Sequence, residues 1–577
     1  MSYVPPIDDL RFLLTSMFDL EDLPKLFREQ GFDSGLALAL LEEAGRFSAE
    51  TLAPLNLPGD TAGCRMENGK VITAPGFANA YRRYAENGWC ALSATPEFGG
   101  QGLPHTMQVL VDEMVSGANL SFGLFPGLTR GAAEALTAHG SEALKQAYLP
   151  RMVSGEWSGV MALTEAAAGT DLGLLRTKAE PLAEGAFAIT GTKIFISSGD
   201  HDFGGNIIHL VLARLPDAPA GVKGISLFLV PKFLPDGTPN SLSVGALEHK
   251  MGIHAQPTCV MNYDGATGWL VGVPNRGLNA MFTMMNTERL FVGLQGLGIA
   301  HAAYCKAAAY AKERLQGRTP SGGMNPAPII EHADVRRMLL SVRAFVEAGR
   351  ALAIWVAMQI DISRHHEDTA ARDAADKLVS LLTPVVKAAF TDFGFESAVM
   401  AQQVFGGHGY VREWGMEQFV RDARIAQIYE GTNGVQALDL AGRKLGMDGG
   451  AVVRGFFHRI EADLCKVEGL EDIVTPVREA LALLRELTEH LLAVSADGAE
   501  IGAASVEYLR VFALVCFGWM WVGIAKAAPG SEDAGIREAK PVLARFFVTR
   551  MLPQAGALAA SVKAGAGPLA ALPSSLF

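Results

Sequence analysis

A block of strand-like runs too closely spaced to admit a helix, flanked by long helical stretches, is the feature that most limits how this chain can fold. The runs Ala186–Ile189, Lys193–Ile196, Ile207–Ala213, Ile225–Val230 and Thr258–Tyr263 are separated by turn clusters such as Leu234-Pro235-Asp236-Gly237 and Asp264-Gly265. They predict an antiparallel β domain. Upstream, Gly35–Leu52 sets Ala37, Leu40, Leu41, Ala44 and Phe47 at helical spacing, and Ser141–Val153 reads as another helix. Pro96–Gly102 and Phe125-Pro126-Gly127 are loop signals between them. Downstream, Met281–Gln316, Ala333–Ile362 and Ala370–Phe405 predict long helices of a bundle. Asp448-Gly449-Gly450 breaks that pattern, and the rest is helix-rich. The expected fold is mainly α with a central antiparallel β domain. Four segments are expected: an N-terminal helical domain (1–158), the β domain (159–278), a helical bundle (279–446) and an extra C-terminal helical domain (447–577). A chain of 577 residues is long enough for that division at about 150 residues per domain.

The order excludes several site types. There is no βαβ alternation and no Gly-x-Gly-x-x-Gly after a strand. Gly293-Leu294-Gln295-Gly296-Leu297-Gly298 sits inside a helical pattern, where close helix contact explains it better than phosphate binding. A net charge of -12 gives no basic footprint for nucleic acid or anionic lipid. Six widely separated cysteines form neither a Cys-x-x-Cys pair nor a Cys/His cluster, so no metal site is expected and a reducing compartment fits. With no secretory signal apparent at the N-terminus, a cytoplasmic location is expected. Val511–Ala525 is almost wholly apolar but shorter than the ~18 residues of a membrane span. It reads as a buried helix of the C-terminal bundle.

One run carries a candidate for chemistry. Arg421 to Gly434 sets Glu430 behind Ile425, Ile428 and Tyr429 and before the turn Gly431-Thr432-Asn433-Gly434. A carboxylate in an apolar pocket has its charged form disfavoured, which suits a general base. The alternative is a solvated Glu, or one paired with a nearby Arg. Three more segments accompany it: Leu163-Thr164-Glu165-Ala166-Ala167-Ala168-Gly169-Thr170-Asp171, Lys193-Ile194-Phe195-Ile196-Ser197-Ser198-Gly199, and Gln403-Val404-Phe405-Gly406-Gly407-His408-Gly409-Tyr410. Together, in this order, they resemble the acyl-CoA dehydrogenase family of flavoproteins from about residue 40 to 446.

The resemblance implies FAD as cofactor, lying between the β domain and the later helices and partly across a subunit interface. Met161, Leu163 and Thr164 match positions around the flavin ring, and Gly169 and Thr170 lie near the pyrophosphate. Phe195, Ile196 and Ser197 match a flavin-flanking Trp-Ile-Thr, with Phe in place of Trp and Ser in place of Thr. Arg314 and Gln316 match an arm that a neighbouring subunit supplies to the diphosphate, where an Arg fork suits phosphate oxygens. Gln403, Gly406 and Gly407 match the adenosine side, and Thr432 a further cofactor contact; Gly434 departs from the Gln often found there. Taken singly, Thr164 reads equally as a β-edge hydroxyl, Arg314 as a solvated helix residue and Gly406-Gly407 as a helix cap.

Glu430 matches the family's base. The implied reaction is α,β-dehydrogenation of an acyl-CoA thioester to the 2-enoyl-CoA, with Glu430 taking the α-proton while a hydride leaves the β carbon for the flavin. Tyr429 and Arg289 match positions on the substrate side. Glu288 matches the place from which a minority of the family present their base, so carboxylates stand at both positions. Glu430 is expected to act, and Glu288 to be an ordinary helix glutamate. The partners implied are an acyl-CoA, an electron-transfer flavoprotein as acceptor and a second copy in a homodimer. The runs Thr170–Lys178, Gly221–Phe228, His249–His254 and Met261–Gly268 are similar to a long bacterial branch of methylthiopropanoyl-CoA and other long acyl-CoA dehydrogenases, which leaves the substrate open between 3-(methylthio)propanoyl-CoA and a short-, medium- or long-chain acyl-CoA. The competing reading is a flavin protein on the same scaffold without this activity, an oxidase, a monooxygenase or an alkylation-response relative. Glu430 and the acidic charge weigh against it.

Overall fold

Alternation decides how the central strands pack. In β6 (Ile207–Ala213) and β7 (Ser226–Pro231) every residue is buried, with successive side chains serving opposite faces. Leu210, Leu212, Leu227 and Leu229 pack with Leu128, Ala132, Leu136, Leu149 and Met152 of the Leu120–His139 and Glu142–Val153 helices. Val211, Phe228 and Val230 face the other way, with Val160, Ile189, Ile196 and Met261. Both faces are covered, which is why these runs read as continuously apolar.

The computed structural model describes residues 3–18, 25–27, 31–318 and 326–577. By packing, the chain divides into two compact units: Phe47–Gln108 with Ala118–Phe291, and Met1–Arg46 with Val109–Gly117 and Val292–Phe577. The first holds the sheets. β1 (Arg65–Glu67) and β2 (Lys70–Ile72) form a hairpin. The main sheet adds β3 (Ser158–Ala162), β4 (Lys178–Pro181), β5 (Ala186–Ser197), β8 (Leu242–Leu247) and β9 (Thr258–Val271) to β6 and β7, in the order β3-β6-β7-β9-β5-β4 with β8 beside β9.

Four local expectations change. The β3–β6 pairing is parallel, while the other named pairings are antiparallel, so the sheet is mixed. The long excursion through β4 and β5 allows it, because parallel neighbours need a crossover. Asp264-Gly265 is not a turn: Gly265, at φ 73°, is the extra residue of a bulge inside β9, opposite Ile189 and Thr190. Phe125-Pro126-Gly127 is not a loop but lies buried within the Leu120–His139 helix, whose first turn is capped by the Asn119 side chain. Gly127 makes room for Phe291, as a Cβ there would lie 2.5 Å from that ring. The helix expected to reach Leu52 ends at Phe47 and passes into a π turn, Ser48–Leu52.

The second unit is helical. Its long elements include the end of Gly277–Glu313, then Ala333–His365, Thr369–Val404 and Gly498–Ala527. Gly296 and Gly394 bring two of these backbone to backbone: a Cβ on Gly296 would meet Phe390 O at 2.4 Å, and one on Gly394 would meet Gly296 O at 2.6 Å. The glycine run at 293–298 is therefore a helix contact, as expected. Asp448, Gly449 and Gly450 all have positive φ, forming the predicted break. Val511–Ala525 lies in a helix with most side chains buried, and Trp521 Nε1 donates to Ala344 O at 3.1 Å. By length and composition Thr369–Val404 and Gly498–Gly530 could cross a membrane, but 72% and 83% of their apolar windows are buried inside the protein.

Candidate active site

In the sheet unit, a bulge sets the arrangement. Between Lys193 and Ile196, β5 carries one residue more than β9 opposite. Phe195 takes φ 60° there and is 59% exposed. In a regular strand residue 195 would share the inward face of Lys193; the bulge turns Phe195 out and Ile196 in.

Lys193 is fully buried. Its ammonium donates to Leu163 O and to Glu165 Oε1, both at 2.9 Å. Ile194 N donates to Thr164 O at 2.9 Å. Glu165 also accepts from Arg176 N, Thr177 N and Thr177 Oγ1 at 2.7, 3.0 and 2.6 Å. Burial pushes the Glu165 carboxyl up, but Lys193 and the Thr177 and Arg176 donors outweigh it and hold it below its ordinary value. Burial pulls the Lys193 ammonium down to about 8, with Glu165 offsetting part of the effect. The clamp ties Leu163 and Thr164 to Lys193 and Ile194, next to the bulge at Phe195. Gly169 and Thr170 follow on exposed loop.

These residues fit a flavin. An uncovered aromatic ring stands near the Thr164 and Ser197 hydroxyls, which have no hydrogen-bond partner among the described residues. Such groups suit a flat heteroaromatic ligand with polar edges.

Glu288 and Arg289, on the Gly277–Glu313 helix, belong to the same unit and are 2% and 9% exposed. Glu288 departs from the ordinary helix glutamate expected. Its carboxylate lies over Gly131, where a Cβ would sit 2.6 Å from Oε1, and the missing side chain leaves it room.

The helical unit holds the rest. Glu430 is half-buried at φ 56°, and Gly431 follows at φ 84°. Thr432 caps the Asn433–Asp439 helix, its side chain accepting from Val435 N. Tyr429 OH donates to Gln295 Oε1. Behind the turn, Lys387 of Thr369–Val404 donates to Gly431 O and Asn433 Oδ1, both at 2.8 Å. Gln436 Nε2 donates to Glu430 O at 3.3 Å. Arg314 and Gln316 are exposed just beyond the Gly277–Glu313 helix; Gln316 N donates to Ala327 O, and Gln316 O accepts from His332 Nε2. Gln403, Gly406 and Gly407 are exposed at the end of Thr369–Val404, with Gly406 at φ 58° and ψ -136°, a conformation open essentially to glycine.

The predicted residues thus form two groups, one in each unit. Three side chains escaped the sequence reading: Lys193, Glu165 and Lys387. Lys387 had a signal, as the lone charge in Leu381–Phe390, a run otherwise made of apolar residues, Thr383 and Pro384.

Four family models match consecutive stretches of the chain. The family models "Acyl-CoA dehydrogenase, N-terminal domain", "Acyl-CoA dehydrogenase, middle domain" and "Acyl-CoA dehydrogenase, C-terminal domain" match residues 37–156, 160–266 and 275–445, and "Acetyl-CoA dehydrogenase C-terminal like" matches 456–573. The chain is 43% identical over 573 residues to a 3-methylmercaptopropionyl-CoA dehydrogenase of Ruegeria pomeroyi, covering 96% of this chain and 97% of that protein. It is 33% identical to a butyryl-CoA dehydrogenase of Syntrophomonas wolfei, covering 96% and 95%. A solved acyl-CoA dehydrogenase of Bacillus anthracis complexed with FAD has the same fold, with a TM-score of 0.76 at 20% identity over 92% of this chain and 88% of that one.

Proposed function

The chain belongs to the acyl-CoA dehydrogenase family, and on that premise we propose that it binds FAD and dehydrogenates a short acyl-CoA across its α and β carbons, with 3-(methylthio)propanoyl-CoA the favoured substrate. Bound FAD supplies the hydride acceptor. Glu430 takes the α-proton, and its backbone N–H donates to the thioester oxygen, stabilising charge that develops there. Tyr429 and Arg289 border the acyl-CoA. When FAD is bound, Thr164, Ser197 and the backbone near Met161 and Leu163 would hold the flavin edge, and Phe195 and Ile196 would flank it. Gly169 and Thr170 approach the pyrophosphate. Arg314 and Gln316 reach a second subunit's diphosphate, so a homodimer is part of the proposal. Gln403, Gly406 and Gly407 take the adenosine side, with Thr432 near the base. An electron-transfer flavoprotein receives the electrons.

The observation that carries this reading is the turn at Glu430, which combines a half-buried carboxylate, a left-handed backbone and support from the Lys387 and Gln436 side chains. The 43% identity to the Ruegeria enzyme supports the thioether substrate.

The test is anaerobic bleaching of the bound flavin by a panel from propanoyl- to palmitoyl-CoA that includes 3-(methylthio)propanoyl-CoA. Fast bleaching by the thioether ester is expected. Fast bleaching by long chains alone would replace the substrate. No bleaching by any, in FAD-loaded protein, would overturn the dehydrogenase reading.

A further inference from the structure

A buried ammonium has to be hydrogen-bonded, and where it spends its donors tells what it holds. Lys387 is 0% exposed among Leu382, Val385, Val386 and Phe390. It spends two donors on one short segment, the carbonyl of the residue after Glu430 and the Asn433 side chain. Asn433 in turn donates to Thr391 Oγ1 and Asp392 Oδ1 of the same helix, at 2.9 and 2.7 Å. Asp392 also accepts from Gln427 Nε2 at 2.6 Å, on the other side of the turn. The segment from Gln427 to Asn433 is therefore tied to Thr369–Val404 at both ends. Glu430 and Gly431 stand between the ties, both left-handed. A non-glycine residue stays in that region only where its surroundings over-determine it.

We propose that Lys387 is the positioning residue of the base. Its ammonium fixes the Gly431 carbonyl and, through Asn433, the left-handed turn, and so holds the Glu430 carboxylate in line with the proton it takes. The inference rests on the proposed dehydrogenase function. Its effect passes through the turn it holds, by way of the Gly431 carbonyl and Asn433.

The test uses FAD-loaded Lys387→Met and Lys387→Arg beside the wild type. With the acyl-CoA that bleaches the wild type, the flavin-reduction rate constant of Lys387→Met is expected to fall on the order of 10²-fold, the usual penalty for misplacing a reacting group. The acyl-CoA dissociation constant should stay unchanged, and Lys387→Arg should recover part of the rate. Backbone amide exchange over residues 428–436 should quicken in Lys387→Met while the rest of Thr369–Val404 keeps its protection. A wild-type reduction rate with unchanged exchange overturns the proposal. If Lys387→Met does not fold, Asn433→Ala carries the same expectation and the same overturning result. A wild type that no acyl-CoA bleaches refutes the functional reading instead, and the exchange comparison still decides whether Lys387 holds the turn.

Discussion

A carboxylate acts as a base only where its backbone and neighbours put it, and this chain has two well-placed carboxylates. Glu430 sits half-buried on a braced turn, and Glu288 is buried in a helix. Glu430→Gln keeps the shape and removes the proton acceptor. It should retain FAD and acyl-CoA and lose about 10²–10⁴-fold in flavin reduction. Glu288→Gln should keep most of the rate. Stopped-flow reduction of both variants checks this, and the reverse pattern would move the base to Glu288. Glu430 was legible because an apolar run and a Gly-Thr-Asn-Gly turn adjoin it in sequence. The Lys193–Glu165 clamp was not, because one extra residue in β5 sets which side chains face inward, and no local periodicity reports a bulge. The clamp has a pH signature. Glu165 is held below 4.5, so its contribution is in full force above 4.5 and is lost as pH falls through its lowered folded value. Glu165→Gln should melt well below the wild type near pH 7, and the gap should close as the solution is acidified. A gap independent of pH would show that the clamp does not work through charge.

Glycine means different things in different elements, and that limits what residue types alone reveal. Gly265 and the Leu234–Gly237 turn carry the same signal, positive φ, yet one is a bulge and the other a turn. Pro126 reads as a breaker, but a capped helix whose first half, Leu120–Thr129, is buried overrides it. The helices at 277–313, 333–365 and 369–404 were legible because their apolar spacing is sustained over many turns. Two glycines in such helices should respond oppositely to alanine. At Gly296 the added methyl meets Phe390 O at 2.4 Å, and the facing Gly394 shows that the partner backbone has no slack. A helix gain of about 1 kcal/mol is then outweighed by an overpacking cost of about 1–3 kcal/mol. At Gly455, in the Ala451–Leu464 helix, the methyl meets nothing within 4 Å, and alanine should stabilise by about 0.5–1 kcal/mol. Thermal melts of the two variants check the pair; a stabilised Gly296→Ala would refute the close helix contact.

Across the chain, the helix–β–helix order and the C-terminal addition could be read from sequence because each rests on local pattern. What joins the distant parts of the helical unit could not. Asp9, near the start, pairs with Arg350 and with Lys540, far towards the end. Arg350 also holds Glu113 at 2.9 Å, and Lys540 holds Glu347 at 2.9 Å. Burial pushes Asp9 up, yet its two cations outweigh that and hold it well below the carboxylate range. Burial pushes Glu113 up too, and there Arg350 only partly offsets it, so Glu113 lies above its ordinary value. The difference follows from the number of cations on each carboxylate. Within this unit the added C-terminal segment is therefore linked through Lys540 to the first helix and to Ala333–His365, and removing one charge strands the others in a dry interior. Asp9→Asn and Lys540→Met should each cost about 3–5 kcal/mol of unfolding free energy in urea. The double variant leaves no orphaned partner between them and should cost less than the sum, with a coupling of about 0.5–3 kcal/mol. The coupling belongs to the ionised Asp9, so it should persist above 3.8 and fade as acid protonates the carboxyl below its lowered folded value. Strict additivity near neutral pH would mean that Lys540 packs the C-terminal segment by its stem alone, and that the charges do not bind the two ends of the chain together.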